Sequence, residues 1–309
     1  MASILFSLLS GSVDISATQL AKGIFSTEPS LNAQVLQEIR IPRTLAAFVT
    51  GGLLALSGAI MQVLLRNPLA DPYILGISGG AAVGALSAIL VGATGFWLSN
   101  AAFVGALSSI FLVFGIANKF GTWSVTRLLL TGVVVSAGWG AVINILLTTS
   151  STNNVQSMLF WLMGDLSQSR VNPAHYLLLL GGLVGGIFIS RSLNVLIRGE
   201  LLAVSLGVNV NSLRLLLFFS ASVFTATAVT VAGSVGFVGL IIPHILRLLG
   251  ARDHRILIPS CILLGGSFLV LADSLARTLI APQQLPVGVV TAVIGVPVFI
   301  LILRSTIRK

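Results

Sequence analysis

Long apolar runs dominate this chain, and polar residues gather in the short stretches between them. A helix needs roughly 20 apolar residues to cross about 30 Å of hydrocarbon. By that measure the runs predict spans near residues 45–65, 73–93, 98–117, 127–149, 174–189, 213–232, 235–249, 256–276 and 287–303. Residues 156–169 read as a short interfacial helix, and Trp97 and Trp161 suit the membrane–water boundary. The first apolar run is short, with only ten residues before Gly11. No basic residue precedes it and no clear small-residue cleavage pattern follows, so a signal peptide is not favoured. The expectation is a truncated first span whose N-terminal half lies upstream of Met1. The expected fold class is all-α: a polytopic membrane protein of about ten transmembrane helices, built as one domain over residues 1–309.

Two interruptions change this picture. Residues 66–76 read RNPLADPYILG, and residues 239–250 read GLIIPHILRLLG. Pro68 and Pro72 forbid a continuous helix in the first, and Asn67 and Asp71 precede those prolines, a turn signature. In the second, Gly233, Gly236 and Gly239 lead into Pro243, which predicts a broken or half-length span. Lipid tolerates such breaks only where the backbone is buried in protein or lines a watery path. A chain with breaks of this kind is expected to move something across the bilayer.

Composition agrees. The chain is 56% hydrophobic and 8% charged, against about 25% charged in a soluble domain. Its 32 glycines suit close helix packing. The net charge is +9, but the basic residues are dispersed, so no nucleic-acid partner is expected. The single Cys261 lies in an apolar run and supports no disulfide framework.

Threading ten spans with both ends on one side collects Arg66, Lys119, Arg127, Arg191, Arg198, Arg214, Arg247, Arg252, Arg255, Arg304, Arg308 and Lys309 together. Lys22, Arg40, Arg43, Arg170 and Arg277 fall on the other side. The excess of basic residues marks the cytoplasmic face, so the C-terminus is expected there. The outer arginines run against that trend and need a reason.

Absences narrow the function. None of the three lysines sits in a Gly-Lys-Ser/Thr phosphate loop, so ATP hydrolysis, if used, belongs to another chain, and no enzyme activity is expected. No His-Glu-x-x-His or Cys-x-x-Cys occurs, His175, His244 and His254 are scattered, and no metal or cofactor site is read. Residues 76–80 match Gly-x-Ser-x-Gly, but inside an apolar span, where packing explains them better than a nucleophile elbow.

Three constellations remain. Arg40 and Arg43 flank Pro42, which suits a helix start. They serve either as interfacial anchors or as a docking point for acidic residues, since Arg recognises carboxylates bidentately. Arg277 follows Asp273 by four residues, which also allows a simple i,i+4 pair. Residues 200–208, ELLAVSLGV, form part of the longest cytoplasmic connection. Leu201, Val204 and Leu206 could face a partner groove or lie on lipid, and Gly207 can end the short helix in a left-handed cap.

The segments RIPRTLAAFVTGG, SGAIMQVLLRNPLADPYILGIS, GFVGLIIPHILRLLGARDHR and LPVGVVTAVIGVP together resemble the FecCD permeases. These are membrane subunits of ABC importers for iron–siderophore complexes, haem and vitamin B12. The resemblance implies ten spans, a homodimer with the path on its two-fold axis, two cytoplasmic ATP-binding subunits and a periplasmic substrate-binding protein. It implies a multi-pass protein of the bacterial inner membrane, working by alternating access. It assigns Arg40, Arg43 and Arg277 to docking of the binding protein. It assigns Asn67, Leu69, Val125 and Thr126 to the cytoplasmic gate. It assigns Glu200, Leu201, Ala203, Val204, Leu206 and Gly207 to ATPase coupling, within a segment 190–212. Family members often carry a polar or basic residue where Val204 stands. The rival is a proton- or sodium-coupled secondary transporter, which needs ionisable residues deep in the membrane. The acids Asp14, Glu28, Glu38, Asp71, Asp165, Glu200, Asp253 and Asp273 nearly all fall in loops or at span ends, against that rival.

Overall fold

The structure, a computed structural model, describes residues 2–10, 31–118, 124–167 and 169–307. Asp14, Lys22, Glu28, Lys119, Arg308 and Lys309 lie outside these residues. All regular structure among the described residues is helical: α1 (Ala2–Leu9), α2 (Ile41–Leu64), α3 (Ile77–Leu90), α4 (Phe96–Asn118), α5 (Val125–Thr149), α6 (Thr152–Met163), α7 (Pro173–Leu196), α8 (Glu200–Ser205), α9 (Val210–Ala232), α10 (Val238–Leu248), α11 (His254–Thr278) and α12 (Val287–Ile307). A single helical turn, Leu31–Gln34, and a wider π-helical stretch, Val35–Arg40, lead into α2, and a 3₁₀ turn, Pro72–Leu75, leads towards α3.

Helix α2 is the axis of the bundle and is almost wholly buried. Its sequence explains why: Ala46, Ala47, Gly51, Gly52, Ala55, Gly58 and Ala59 give it little side-chain bulk, so α9, α10 and α11 pack directly on it. A Cβ on Gly58 would stand 1.8 Å from the Gly239 carbonyl oxygen of α10, and one on Gly51 would stand 2.3 Å from the Gly265 carbonyl oxygen of α11. Polar contact adds to this, because the Ser57 hydroxyl donates to the Ala221 carbonyl of α9 at 2.7 Å. A second group, α3, α4 and α5, packs beside this core. Phe114 of α4 meets Phe218 and Phe219 of α9, with ring centroids 5.7 and 5.1 Å apart.

Every apolar run predicted to span coincides with a helix; the short helix expected at 156–169 is present but lies earlier, at Thr152–Met163. Six helices among the described residues are long and apolar enough to cross a membrane. Two others are shorter than expected. Helices α3 and α10 have 14 and 11 residues, or roughly 21 and 17 Å at 1.5 Å per residue, so neither crosses alone. The chain break near α10 also sits earlier than Pro243, which lies inside that helix. Gly233 ends α9 with φ +68°, and Phe237 takes φ +70° just before α10. Glycine adopts positive φ without steric cost, so the glycine end of the stretch breaks the span rather than the proline.

Outside the core, α4, α5, α7 and α12 present large apolar side chains outward, including Phe111, Val134, Phe188 and Val293. Such faces suit lipid or other membrane helices.

Candidate functional site: the two polar ends of the central helix

Arg43 stands near the start of α2 and Arg66 just beyond its end, about 35 Å apart by helix rise. Of the arginines that charge counting assigned to opposite faces, Arg40, Arg43 and Arg277 gather at the first end and Arg66, Arg214 and Arg247 at the second.

At the Arg43 end, Asp273 of α11 is fully buried and holds two arginines. Arg43 Nη2 donates to Asp273 Oδ1 at 2.8 Å, and its Nε reaches both carboxylate oxygens at 3.0 and 3.1 Å. Its Nη1 donates to Gln284 Oε1 at 2.7 Å. Arg277 Nε lies 3.1 Å from Asp273 Oδ2, and its Nη2 donates to the Ser7 hydroxyl at 2.8 Å. Arg40 Nη1 donates to the Leu8 carbonyl at 2.7 Å. The three arginines expected to display their charge outward are instead 3%, 5% and 7% exposed. The reason is physical: a buried charge needs a partner, and Asp273 supplies it for Arg43 and Arg277. The i,i+4 contact between Asp273 and Arg277 is present as well. Asp273 thus serves Arg43 and Arg277 at once.

At the Arg66 end, residues 66–76 fold into a turn tied by its own side chains. The Asn67 side chain accepts from the Leu69 amide at 2.9 Å, and Asp71 accepts from the Tyr73 amide at 2.7 Å. Tyr73 then reaches the stretch before α10: its hydroxyl donates to the Val235 carbonyl at 3.0 Å and accepts from the Val235 amide at 3.1 Å. Gln62, in the last turn of α2, donates to the Leu240 carbonyl at 3.1 Å and accepts from Arg247. Asn67 is exposed and Leu69 partly buried. Val125 and Thr126 open α5, with Thr126 exposed; the 3₁₀ turn 72–75 packs on α5 where Gly132 backs against the Ile74 carbonyl.

Helix α8 completes this end. Ala203 faces inward and is fully buried, whereas Leu201 is 87%, Val204 58% and Leu206 62% exposed. Gly207, at φ +79°, closes the helix: its amide donates to Val204 and the Val208 amide to Ala203, both at 2.9 Å, the paired bonds of a Schellman cap. Glu200, at the helix start, accepts from two arginines. Arg214 grips it bidentately at 2.9 and 2.7 Å, and Arg66 Nη2 lies 2.9 Å from Oε2. The Arg214 hydrogen bonds, then the Arg66 contact, hold the Glu200 carboxyl below the usual carboxylate range.

Sequence reasoning missed the part played by Asp273, Arg66, Arg214 and Tyr73. Only the i,i+4 spacing of Asp273 and Arg277 is local; the other partners lie in different elements of the fold. The other available signal was Arg66 standing beside Asn67 in the proline-bounded turn.

A bundle of apolar helices with interrupted crossings and a polar cluster at each end has the build of a multi-pass transport protein. The chain matches the FecCD transport family over residues 1–305 and belongs to it. It is 44% identical over 281 residues to the cobalamin import system permease protein BtuC of Halobacterium salinarum, covering 90% of this chain and 75% of that one. It is 39% identical over 289 residues to the uncharacterized ABC transporter permease protein YvrB of Bacillus subtilis, covering 91% and 82%. A solved structure of a metal-chelate type ABC transporter in an inward-facing conformation superposes with a TM-score of 0.86 at 32% identity, covering 98% of this chain and 96% of that one. The protein is therefore a membrane permease of the ATP-binding-cassette class.

Proposed function

We propose that this chain is the permease subunit of an importer that takes up a metal chelate, with a cobalamin as the favoured substrate and iron–siderophore or haem complexes as the alternatives. It works as a homodimer of about ten spans per subunit. Two cytoplasmic ATP-binding subunits and an external substrate-binding protein complete it, and the C-terminus lies in the cytoplasm. The carrying observation is α8, whose Leu201, Val204 and Leu206 stand exposed on a chain that has no phosphate loop of its own. An apolar helix face outside the core fits a groove on an ATPase partner. Relatives named for cobalamin import support the substrate class.

In this reading the binding protein docks at the outer end. Arg40, Arg43 and Arg277 act there as its docking residues, since arginine recognises the carboxylates of acidic side chains bidentately. Nucleotide binding draws the ATPase subunits together. Movement of α8, within the coupling segment 190–212, then opens or closes the cytoplasmic gate at Asn67, Leu69, Val125 and Thr126. This is rigid-body alternating access.

The test is uptake by proteoliposomes carrying the permease, its ATPase and its binding protein, offered labelled cobalamin, haem and a ferric siderophore in turn. ATP-dependent uptake of one of the three is expected. Uptake driven by a proton or sodium gradient without ATP would favour secondary transport and overturn the proposal.

A further inference from the structure

The cytoplasmic end contains a connection that the docking role of α8 does not require. Glu200 is the first residue of α8, and its carboxylate is shared by Arg214 of α9 and Arg66 of the gate turn. The two arginines differ in setting. The Arg214 side chain is 7% exposed and holds both carboxylate oxygens, whereas the Arg66 side chain is 36% exposed and holds one. Arg214 therefore fixes where the carboxylate points. Arg66 meets an acceptor that is already ordered, which removes much of the entropy loss that makes exposed pairs weak.

Arg66 is also a suitable handle. It carries φ +47°, a conformation unusual outside glycine. Its amide bonds to the Val63 carbonyl at 3.2 Å, the Asn67 amide to Gln62 at 3.2 Å and the Ala70 amide to Asn67 at 3.1 Å. The turn is internally tied, so displacement of Arg66 carries Asn67 and Leu69 with it. At its far end the Tyr73 hydroxyl grips both backbone groups of Val235, in the broken stretch before α10. A continuous set of polar contacts thus runs from α8 through Glu200, Arg66 and the turn to the interruption in the bundle.

We infer that Glu200 and Arg66 are positioning residues that transmit movement of α8 to the cytoplasmic gate turn. The inference rests on the reading of α8 as the ATPase-docking helix. Loss of Arg66 leaves α8 held to α9 by the Glu200–Arg214 pair but uncouples it from the turn.

The test uses the full complex with ATPase and binding protein in vesicles, in a Cys261→Ser background. A spin label is placed at Leu69→Cys on the turn, or at Leu202→Cys on α8. Distances between the two copies of each label are measured without nucleotide and with ATP plus vanadate. With Arg66 intact both label pairs shift. With Arg66→Gln the Leu202 pair still shifts, while the nucleotide-driven redistribution of the Leu69 pair falls about fivefold, the factor equivalent to about 1 kcal/mol of coupling. Arg66→Lys, which keeps the charge, recovers most of it. A merely structural role for Arg66 would disturb both labels alike and would not be rescued. A Leu69 shift unchanged by Arg66→Gln overturns the inference while leaving the docking role of α8 in place. A Leu202 pair that ignores nucleotide with Arg66 intact overturns the docking role, and the inference with it.

Discussion

Arg43 and Asp273, 230 positions apart in the chain, meet in a bidentate pair at 2.8 and 3.1 Å that joins the start of α2 to α11. Both side chains are buried, and Arg277 closes on the same carboxylate from one turn further along α11. This contact fixes the N-terminal end of the central helix against α11.

Removing the shared carboxylate leaves two buried guanidiniums without their counter-charge. Asp273→Asn is therefore expected to destabilise the protein by about 3–5 kcal/mol, the range for breaking a buried ion pair from one side. Thermal unfolding of the purified permease in detergent reads this directly. The double variant Asp273→Leu with Arg43→Met, which removes charge from both sides of that pair, should unfold at a higher temperature than Asp273→Asn. An Asp273→Asn protein as stable as the parent would show that the pair contributes nothing to the fold.

The contact of Gly58 with Gly239 makes a second prediction. An added Cβ would meet backbone atoms of α10, which cannot swing aside as a side chain would. Gly58→Ala should cost at least about 1–3 kcal/mol through overpacking, and Gly58→Val more. Gly92→Ala is no fair comparison because its φ is +75°, but Gly115→Ala, with nothing within 4 Å, should leave the unfolding temperature nearly unchanged. Equal stability of Gly58→Ala and Gly115→Ala would refute the close approach of α2 and α10.

What the sequence made legible follows from length scales. Runs near 20 apolar residues have one economical solution in lipid, so each predicted span coincides with a helix. The first interruption was legible in place, because the polar, proline-bounded residues 66–72 fall between α2 and α3. The second was not: the break lies at residues 233–237, ahead of the Pro243 stretch that suggested it. The exposed face of α8 was legible because apolar residues in a polar connection need a partner. The setting of the arginines was only half legible. The four-residue spacing of Asp273 and Arg277 could be read locally, but only the fold brings Arg43, 230 positions away, to the same carboxylate.

The Glu200 cluster should respond to acid in a defined direction. Its carboxyl titrates below the usual range because Arg214 and Arg66 stabilise the charged form. A lowered folded-state pKa contributes stability that is present above the unfolded value and lost as pH falls through the folded one. Coupling between α8 and the gate turn should therefore be constant from about pH 5 to pH 8 and weaken only below the ordinary Glu value of about 4.3. Salt separates the two arginines: the exposed Arg66 contact is screened as ionic strength rises, and the buried Arg214 contact much less. Nucleotide-driven movement of a Leu69 label, followed against pH and then against salt, checks both. A loss of movement on raising the pH from 6 to 8 would contradict the sign.

The last prediction concerns the apolar face of α8. Leu201 and Leu206 are 87% and 62% exposed, while Ala203 anchors the helix inward. Neither leucine contributes to the core, so Leu201→Asp with Leu206→Asp should leave the permease folded and dimeric. Against an ATPase groove the same change removes burial worth roughly 1.5–3 kcal/mol per side chain and introduces two carboxylates into a dry contact. Summed, that is enough to lower affinity by more than about a hundredfold, since each 1.4 kcal/mol is tenfold. The ATPase subunits should then be lost during purification while the unfolding temperature of the permease is unchanged. If α8 only rests on lipid, its two new charges turn towards water and the ATPase stays bound. Recovery of a full complement of ATPase subunits with the double variant would therefore refute the docking role of this helix.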